Sequence, residues 1–484
     1  MRICPDGFLG AVLGAEGCGV RAVINGPGGC RSRAVALWRE LSEEYLGEDP
    51  GCCLSENFSR QSALPCTYLT GADMVLGAAD RISGGLRSVL SAVPGDAMLI
   101  GTLASSLQAA DIDAAVRAAG AEDRIVPAPE GLSSMSFAEG FDAAAAEIAR
   151  RAAVKADGAC GGPAGGSGRG ESVTVLGYTV ADASWHFGME NIRSLLSLLG
   201  ADEVSFIGCL SSEEDLEASL SSSSAAVEVH PEMCRRTAEV YRERGIRAVV
   251  PKAGAPVGFD AIRSFLNDVS DAIGASPDAA LKAVDAEEER CMRILRNCDK
   301  DARAFRGLCC AAGGMPSDLL PLLRFMRDWF GMLPGSVEKM YCGESVCDPN
   351  LERFLRDAGA EDSIGAVPDP LSTAAFFSDG YTAAEYKAEH PRCACVGISM
   401  PFARKAEFRD SSIVGLGGCR FLLDGLINGR GEFSCGQPTM ADFRRSRRTA
   451  AVRRLPLRDA FPRHLIYPHA RFRIHVRAQT QESR

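Results

Sequence analysis

Two cysteines, Cys4 and Cys30, stand 26 residues apart in CPDGFLGAVLGAEGCGVRAVINGPGGC, and the second closes the run Gly26-Pro27-Gly28-Gly29-Cys30. An apolar, strand-like segment gives way to a helix-like one here, so Cys30 is expected at a strand-to-helix turn. A thiolate at such a turn is stabilised by the helix dipole and by free backbone N–H groups. Glycines in the same turn let the main chain approach a bulky inorganic cluster and donate hydrogen bonds to its sulfides. The same residues also suit a plain strand–helix turn or, more weakly, a phosphate cradle. Against the cradle, there is no Walker Lys-Ser/Thr pair and no well-spaced GxGxxG with a downstream acid.

The chain has 19 cysteines. In a long chain in a reducing compartment, most are expected to act as small buried apolar residues, and a few as metal ligands or reactive groups. Cys309-Cys310 and Cys393-x-Cys395 fall in expected buried strands. Cys342-x4-Cys347 falls in a strand-end loop, where α/β proteins bind ligands. No CxxC pair occurs, which removes zinc-ribbon and thioredoxin readings. His186 and His230 are expected to be structural, and no Ser/His/Asp or HExxH pattern stands out.

The elements that would position these residues alternate between strand-like and helix-length runs, as βαβ units require. Strands are expected at RAVING, AMLIGTL, RIVPAP, VTVLGY, VSFIG, AAVEVH, IRAVV, FRGLCCAAGG, SVEKMYCG, SIGAV and CACVGIS. Intervening helices include Gly28 to about Leu41, Phe137 to Lys155, Pro277 to about Arg303, and GLGGCRFLLDGLING. Seven glycines and no apolar period mark 156–172 as a linker. The expected organisation is therefore 1–155, a linker 156–172, 173–303, 304–436 and a tail 437–484. That tail carries twelve arginines, no lysine and three acids. It suits a solvated basic segment, a docking segment for an acidic partner, or an addition foreign to the fold.

At 484 residues the chain exceeds one core. A net charge of −10 argues against a general nucleic-acid binder. No apolar run reaches the roughly 18 residues of a spanning helix. The apolar N-terminus lacks a basic n-region and is broken by glycines between Asp6 and Glu16, so a cleaved signal is not expected and a cytoplasmic location is.

The Cys4–Cys30 spacing and the Gly-Pro-x-Gly-Cys ending resemble the cluster-binding start of the nitrogenase component 1 type oxidoreductases. That family includes the molybdenum-iron protein subunits and the dark-operative protochlorophyllide reductase. Members usually carry His before Gly-Pro; Asn25 stands there in this chain. LTGADMVLGAADRISGGL is similar to the family's Gly-Gly-Glu segment, with Ala78 and Ala79 replacing the second Gly and the Glu. MLIGTLASSLQAADIDAAV is similar to its Thr-x-Cys segment, but reads Thr102-Leu103-Ala104, with no sulfur. VTVLGYT resembles the strand that opens the second domain, and CACVGIS with GLGGCRFLLDGLIN resembles the last strand and helix.

The resemblance implies an α/β fold of three Rossmann-like parallel-sheet units. It implies an iron–sulfur cluster, expected as [4Fe–4S], held by Cys4, Cys30 and, in place of the missing third cysteine, Cys66. Gly26, Pro27 and Gly29 would cradle it. A fourth ligand would come from a second subunit, Cys18 or the Cys52-Cys53 pair. The implied partners are an iron-protein-like ATPase that donates electrons and a homologous or identical subunit in a dimer or tetramer. No nucleotide is expected on this chain, and no nucleic-acid or membrane partner. The expected activity is reduction of a substrate, unknown in kind, in the cleft between domains. Dinitrogen is not the expected substrate: AAVEVHPEMC offers His230 and Cys234 out of register with the family cysteine, and MPFARKAEFRD has no histidine. A non-catalytic scaffold or carrier, or a degenerate partner subunit, is the alternative.

Overall fold

Glycines dictate how the first helix packs. In the computed structural model, which describes residues 5–41, 64–92, 95–108, 111–159, 171–400 and 410–429, the apolar N-terminus forms a buried helix, Gly7–Gly17. Asp6 caps it, its carboxylate accepting from Leu9 N at 3.1 Å. The helix lies against the long helix Phe137–Ala159. A Cβ on Gly10 would fall 2.0 Å from the Phe137 carbonyl, and one on Gly140 would fall 2.0 Å from that of Gly7. The backbones touch, and only glycine permits it.

All three sheets are parallel. The first has the order β1-β2-β3, with β1 Arg21–Asn25, β2 Ala97–Gly101 and β3 Ile125–Val126. Outside β1, residues 65–67 add a strand-like edge: Ile24 N donates to Pro65 O, and Thr67 N to Ile24 O. The second sheet has the order β5-β4-β6-β7, with β4 Glu171–Leu176, β5 Ala201–Phe206, β6 Ala225–Glu228 and β7 Arg247–Val249. The third has the order β11-β10-β8-β9, with β8 Cys309–Gly314, β9 Leu333–Lys339, β10 Thr373–Asp379 and β11 Ala394–Ser399. This is the expected three-unit α/β architecture.

Several local expectations need correction. SIGAV is not a strand: only Ile364 bridges to Val337, and a 3-10 turn occupies Glu361–Ser363. The strand in that region is Thr373–Asp379, buried throughout, whose Ala-Ala-Phe-Phe run shows no alternation to announce it. The stretch from Pro277 to Arg303 is two helices, Asp278–Asn297 and Asp299–Arg303. Helix Phe137–Ala159 runs past Lys155, and β4 starts at Glu171; residues 160–170 lie outside the described residues. So do Cys4, the Cys52-Cys53 pair, 401–409 and the tail 437–484. Among the described residues no helix is long and apolar enough to cross a membrane.

Candidate functional site

In each sheet the chain leaves one strand to one side and then crosses to the other, which opens a crevice at the carboxyl ends of the strands. In the first sheet β1 is that strand, flanked by residues 65–67 and by β2. Its carboxyl end runs into Gly26-Pro27-Gly28, where the helix Gly28–Leu41 begins. This crevice brings Cys30 and Cys66 together.

Hydrogen bonds fix the corner. The Cys66 thiol donates to Gly26 O at 3.2 Å, and its sulfur accepts from Tyr68 N at 3.3 Å. Tyr68 has a left-handed φ of 51°, and Arg31 sits 5.7 Å from its ring centroid. Gly26 N donates to Thr67 Oγ1, which in turn donates to Asn25 Oδ1, both at 3.1 Å. Burial pushes the Cys66 thiol above its ordinary pKa. The Tyr68 N–H and Arg31 act against that rise, while the neighbouring Cys30 adds to it.

The glycines differ in role. A Cβ on Gly26 would meet Thr102 Oγ1 at 2.4 Å, whereas one on Gly29 meets nothing within 4 Å. Gly26 is thus required by the protein's own packing, while Gly29 faces open space. Pro27 accepts from Cys30 N at 3.1 Å, forming the first bend of the helix. Thr102 is buried and spends its hydroxyl on Asn25 O at 3.1 Å.

Among the described residues, no three His, Cys, Asp or Glu side chains converge to hold a metal. Cys30 and Cys66 would supply two ligands of a four-ligand set. They fit a cluster only if Cys4 and another ligand join them. Asp6, two residues after Cys4, is paired at 2.7 Å with Arg33, one helical turn beyond Cys30. Cys18 does not qualify: it precedes the amino end of β1, about 17 Å of strand away, and is fully buried.

A second constellation lies where the crevices of the other two sheets face each other, and its extent was not legible from a lone histidine. His230, 1% exposed, follows β6. Its Nε2 is 3.1 Å from Asp182 Oδ1, beyond β4, and its Nδ1 is 2.9 Å from Ser317 Oγ and 3.8 Å from Asp318 Oδ1, beyond β8. Tyr178 stacks on the ring at 6.0 Å. Burial alone would depress the imidazole, but Asp318 and Asp182 outweigh it and raise its pKa to about 10. Burial lifts Asp318 to about 7 against the pull of His230. Glu232 accepts from Ser317 N at 3.0 Å and from Ser345 Oγ at 2.6 Å. Cys342 and Cys347 lie in the loop after β9, both pushed to about 12 by burial and by Glu232. Cys234 is buried, its thiol donating to His230 O at 3.3 Å. These groups join strand ends of two sheets through ion pairs and hydrogen bonds, while His230 Nε2, Glu232 Oε2 and Asp318 Oδ1 make no hydrogen bond among the described residues.

A family model described as nitrogenase component 1 type oxidoreductase matches residues 8–337. The chain belongs to the nitrogenase component 1 type oxidoreductase family. Among solved structures, "Nitrogenase Cp1 at pH 6.5" is similar with a TM-score of 0.65 at 16% identity, over 93% of this chain and 95% of that one. "Nitrogenase Cp1 at pH 5" is similar with a TM-score of 0.56 at 14% identity, over 87% and 88%. A comparison with curated proteins finds no match. At such identities the likeness shows the component 1 fold and not the reaction.

Proposed function

We propose that this chain is a nitrogenase-like reductase subunit whose iron–sulfur cluster, of the [4Fe–4S] type, is held by Cys30, Cys66 and Cys4, with Gly26, Pro27 and Gly29 shaping the cradle. The observation that carries the reading is that Cys30, in the first turn of the helix after β1, and Cys66, on the edge paired with β1, flank one crevice beside a glycine that faces open space. Such a cluster, when bound, exchanges single electrons. The chain's own residues set its surroundings: Tyr68 N and Gly26 O orient the Cys66 sulfur, and Arg31 favours its thiolate. The electrons would come from an ATP-hydrolysing, iron-protein-like partner and go to a substrate other than dinitrogen.

An apolar rim beside the thiols supports a second subunit, identical or homologous, in a dimer or tetramer. Val75, Leu76 and Leu107 are 82%, 86% and 78% exposed, on the helices Gly71–Leu76 and Leu103–Gln108, which touch one another. Exposed large side chains gathered in this way mark an interaction surface. We further propose the division into 1–155, 173–303 and 304–436 around a linker 156–172, with a tail 437–484, and a cytoplasmic location. The alternative of a non-catalytic cluster carrier or degenerate partner subunit draws on Ala104, which offers no sulfur where the family places its third cysteine.

Anaerobic purification with iron and sulfide analysis, and EPR after dithionite reduction, tests the reading on wild type and on Cys4→Ala, Cys30→Ala and Cys66→Ala. The expected result is about four irons per cluster, lost in each variant. An iron-free, well-folded wild type would overturn it. Iron retained without ATP-dependent reduction by an iron-protein-like donor would favour the carrier.

A further inference from the structure

A cavity of about 790 Å³ opens at the carboxyl ends of β1, β2 and β3, on the β2 side of the cysteine corner. Its size is that of a small-molecule site. Leu99, Val126 and Leu132 make apolar wall, and Asn25 and Ser105 bring polar atoms to it. The Ser105 hydroxyl is already spent on Thr102 O at 2.9 Å and accepts from Thr102 N at 2.8 Å.

Asn25 is different. Its orientation is fixed by a directional relay: the Gly26 N–H donates to Thr67 Oγ1, so the Thr67 hydroxyl hydrogen goes to Asn25, and the atom that receives it must be the amide oxygen. The amide nitrogen is left with two donors and no hydrogen-bond partner among the described residues, although Asn25 is 2% exposed and lines the cavity. The nitrogen faces the cavity, where water can serve it, and an acceptor on a ligand would take the place of that water. Charge narrows the ligand further. Asp113, Glu122 and Glu130 outnumber Arg117 on the lining, so an anion is repelled.

We propose that this cavity binds the substrate class of the subunit, a small uncharged carbonyl compound whose oxygen accepts from the Asn25 amide while its apolar body lies on Leu99, Val126 and Leu132. The assignment of this ligand as substrate rests on the reductase reading above; its binding does not. The site adjoins the thiols: the Cys66 sulfur contacts the carbonyl of Gly26, the residue after Asn25. The electron acceptor is thereby moved from the cleft between domains to the first sheet.

The test is ligand-observed NMR titration of the purified full-length chain with three probes of one size: acetophenone, benzoate and benzylammonium. The variants are Asn25→Leu, which removes the donor at similar volume, and Ser106→Trp, which blocks the cavity from an exposed position. Acetophenone is expected to bind best, and to weaken about tenfold or more in each variant, the effect of a lost hydrogen bond or a filled pocket. Absence of acetophenone binding, equal binding by folded Ser106→Trp, or preference for benzoate or benzylammonium overturns the proposal. Iron content is measured on the same samples. Iron-free protein that binds acetophenone keeps the site and loses the reductase reading; iron-loaded protein that binds none of the probes does the reverse.

Discussion

The corner at Cys30 and Cys66 and the cluster around His230 occupy equivalent places, each at the carboxyl ends of strands where the chain reverses its direction across a sheet. Their chemistry is opposite. Around His230, acids, base and hydroxyls from two sheets close on one another, and the imidazole is almost wholly buried. Around Cys30 the groups remain open: Gly29 faces empty space, and the Asn25 amide nitrogen lacks a partner among the described residues. The first crevice is held shut by buried ion pairs, and the second is lined by groups that face a cavity and can meet a ligand.

The largest expected effect comes from breaking the closed crevice. His230→Ala leaves Asp182 and Asp318 buried without their cation, and should cost about 3–5 kcal/mol in urea unfolding. Cys30→Ala, measured in iron-free protein, should cost about 1 kcal/mol or less. Equal losses would erase the distinction between the two regions.

Packing offers the next contrast. Gly10→Ala forces a methyl onto the Phe137 carbonyl and should cost roughly 1–3 kcal/mol or more, whereas Gly29→Ala should stay within about 0.5 kcal/mol. Thermal unfolding of the two variants checks this.

pH sharpens the comparison. The His230 pKa is raised on folding, so its stabilisation is complete below the unfolded value of about 6.5 and fades as pH climbs towards about 10. Asp318 is raised as well, adding a loss between about pH 4 and about 7. Unfolding free energy should therefore fall across both windows in wild type. His230→Gln should flatten the upper window and Asp318→Asn the lower. An unchanged slope would refute the pairing.

The smallest effect is expected at Asp6, which caps the first helix and pairs with the half-exposed Arg33. Asp6→Ala should cost about 1 kcal/mol, and Asp6→Asn, which keeps the cap, about half of that or less. Chemical denaturation of both separates the two contributions.

Local sequence determined a good deal of this protein. The alternation of strand and helix, the helix beginning at Gly28 and the placing of Cys30 at a turn follow from short-range pattern and backbone preference, and the structure has them. The family was legible in the Cys4–Cys30 spacing and the Gly-Pro-x-Gly-Cys ending. Tertiary structure alone decided the rest. Thr373–Asp379 is a central strand because it is buried on both faces, which removes the period-two signal. SIGAV fails as a strand because only Ile364 finds a partner. His230 looked solitary because its partners lie 48, 87 and 88 residues away on other strand ends. Cys66 meets Cys30 because residues 65–67 pair alongside β1, a choice of neighbour that no local pattern encodes. Pairing across a sheet is a long-range decision, made by whichever partners best bury their surface and satisfy their backbone groups.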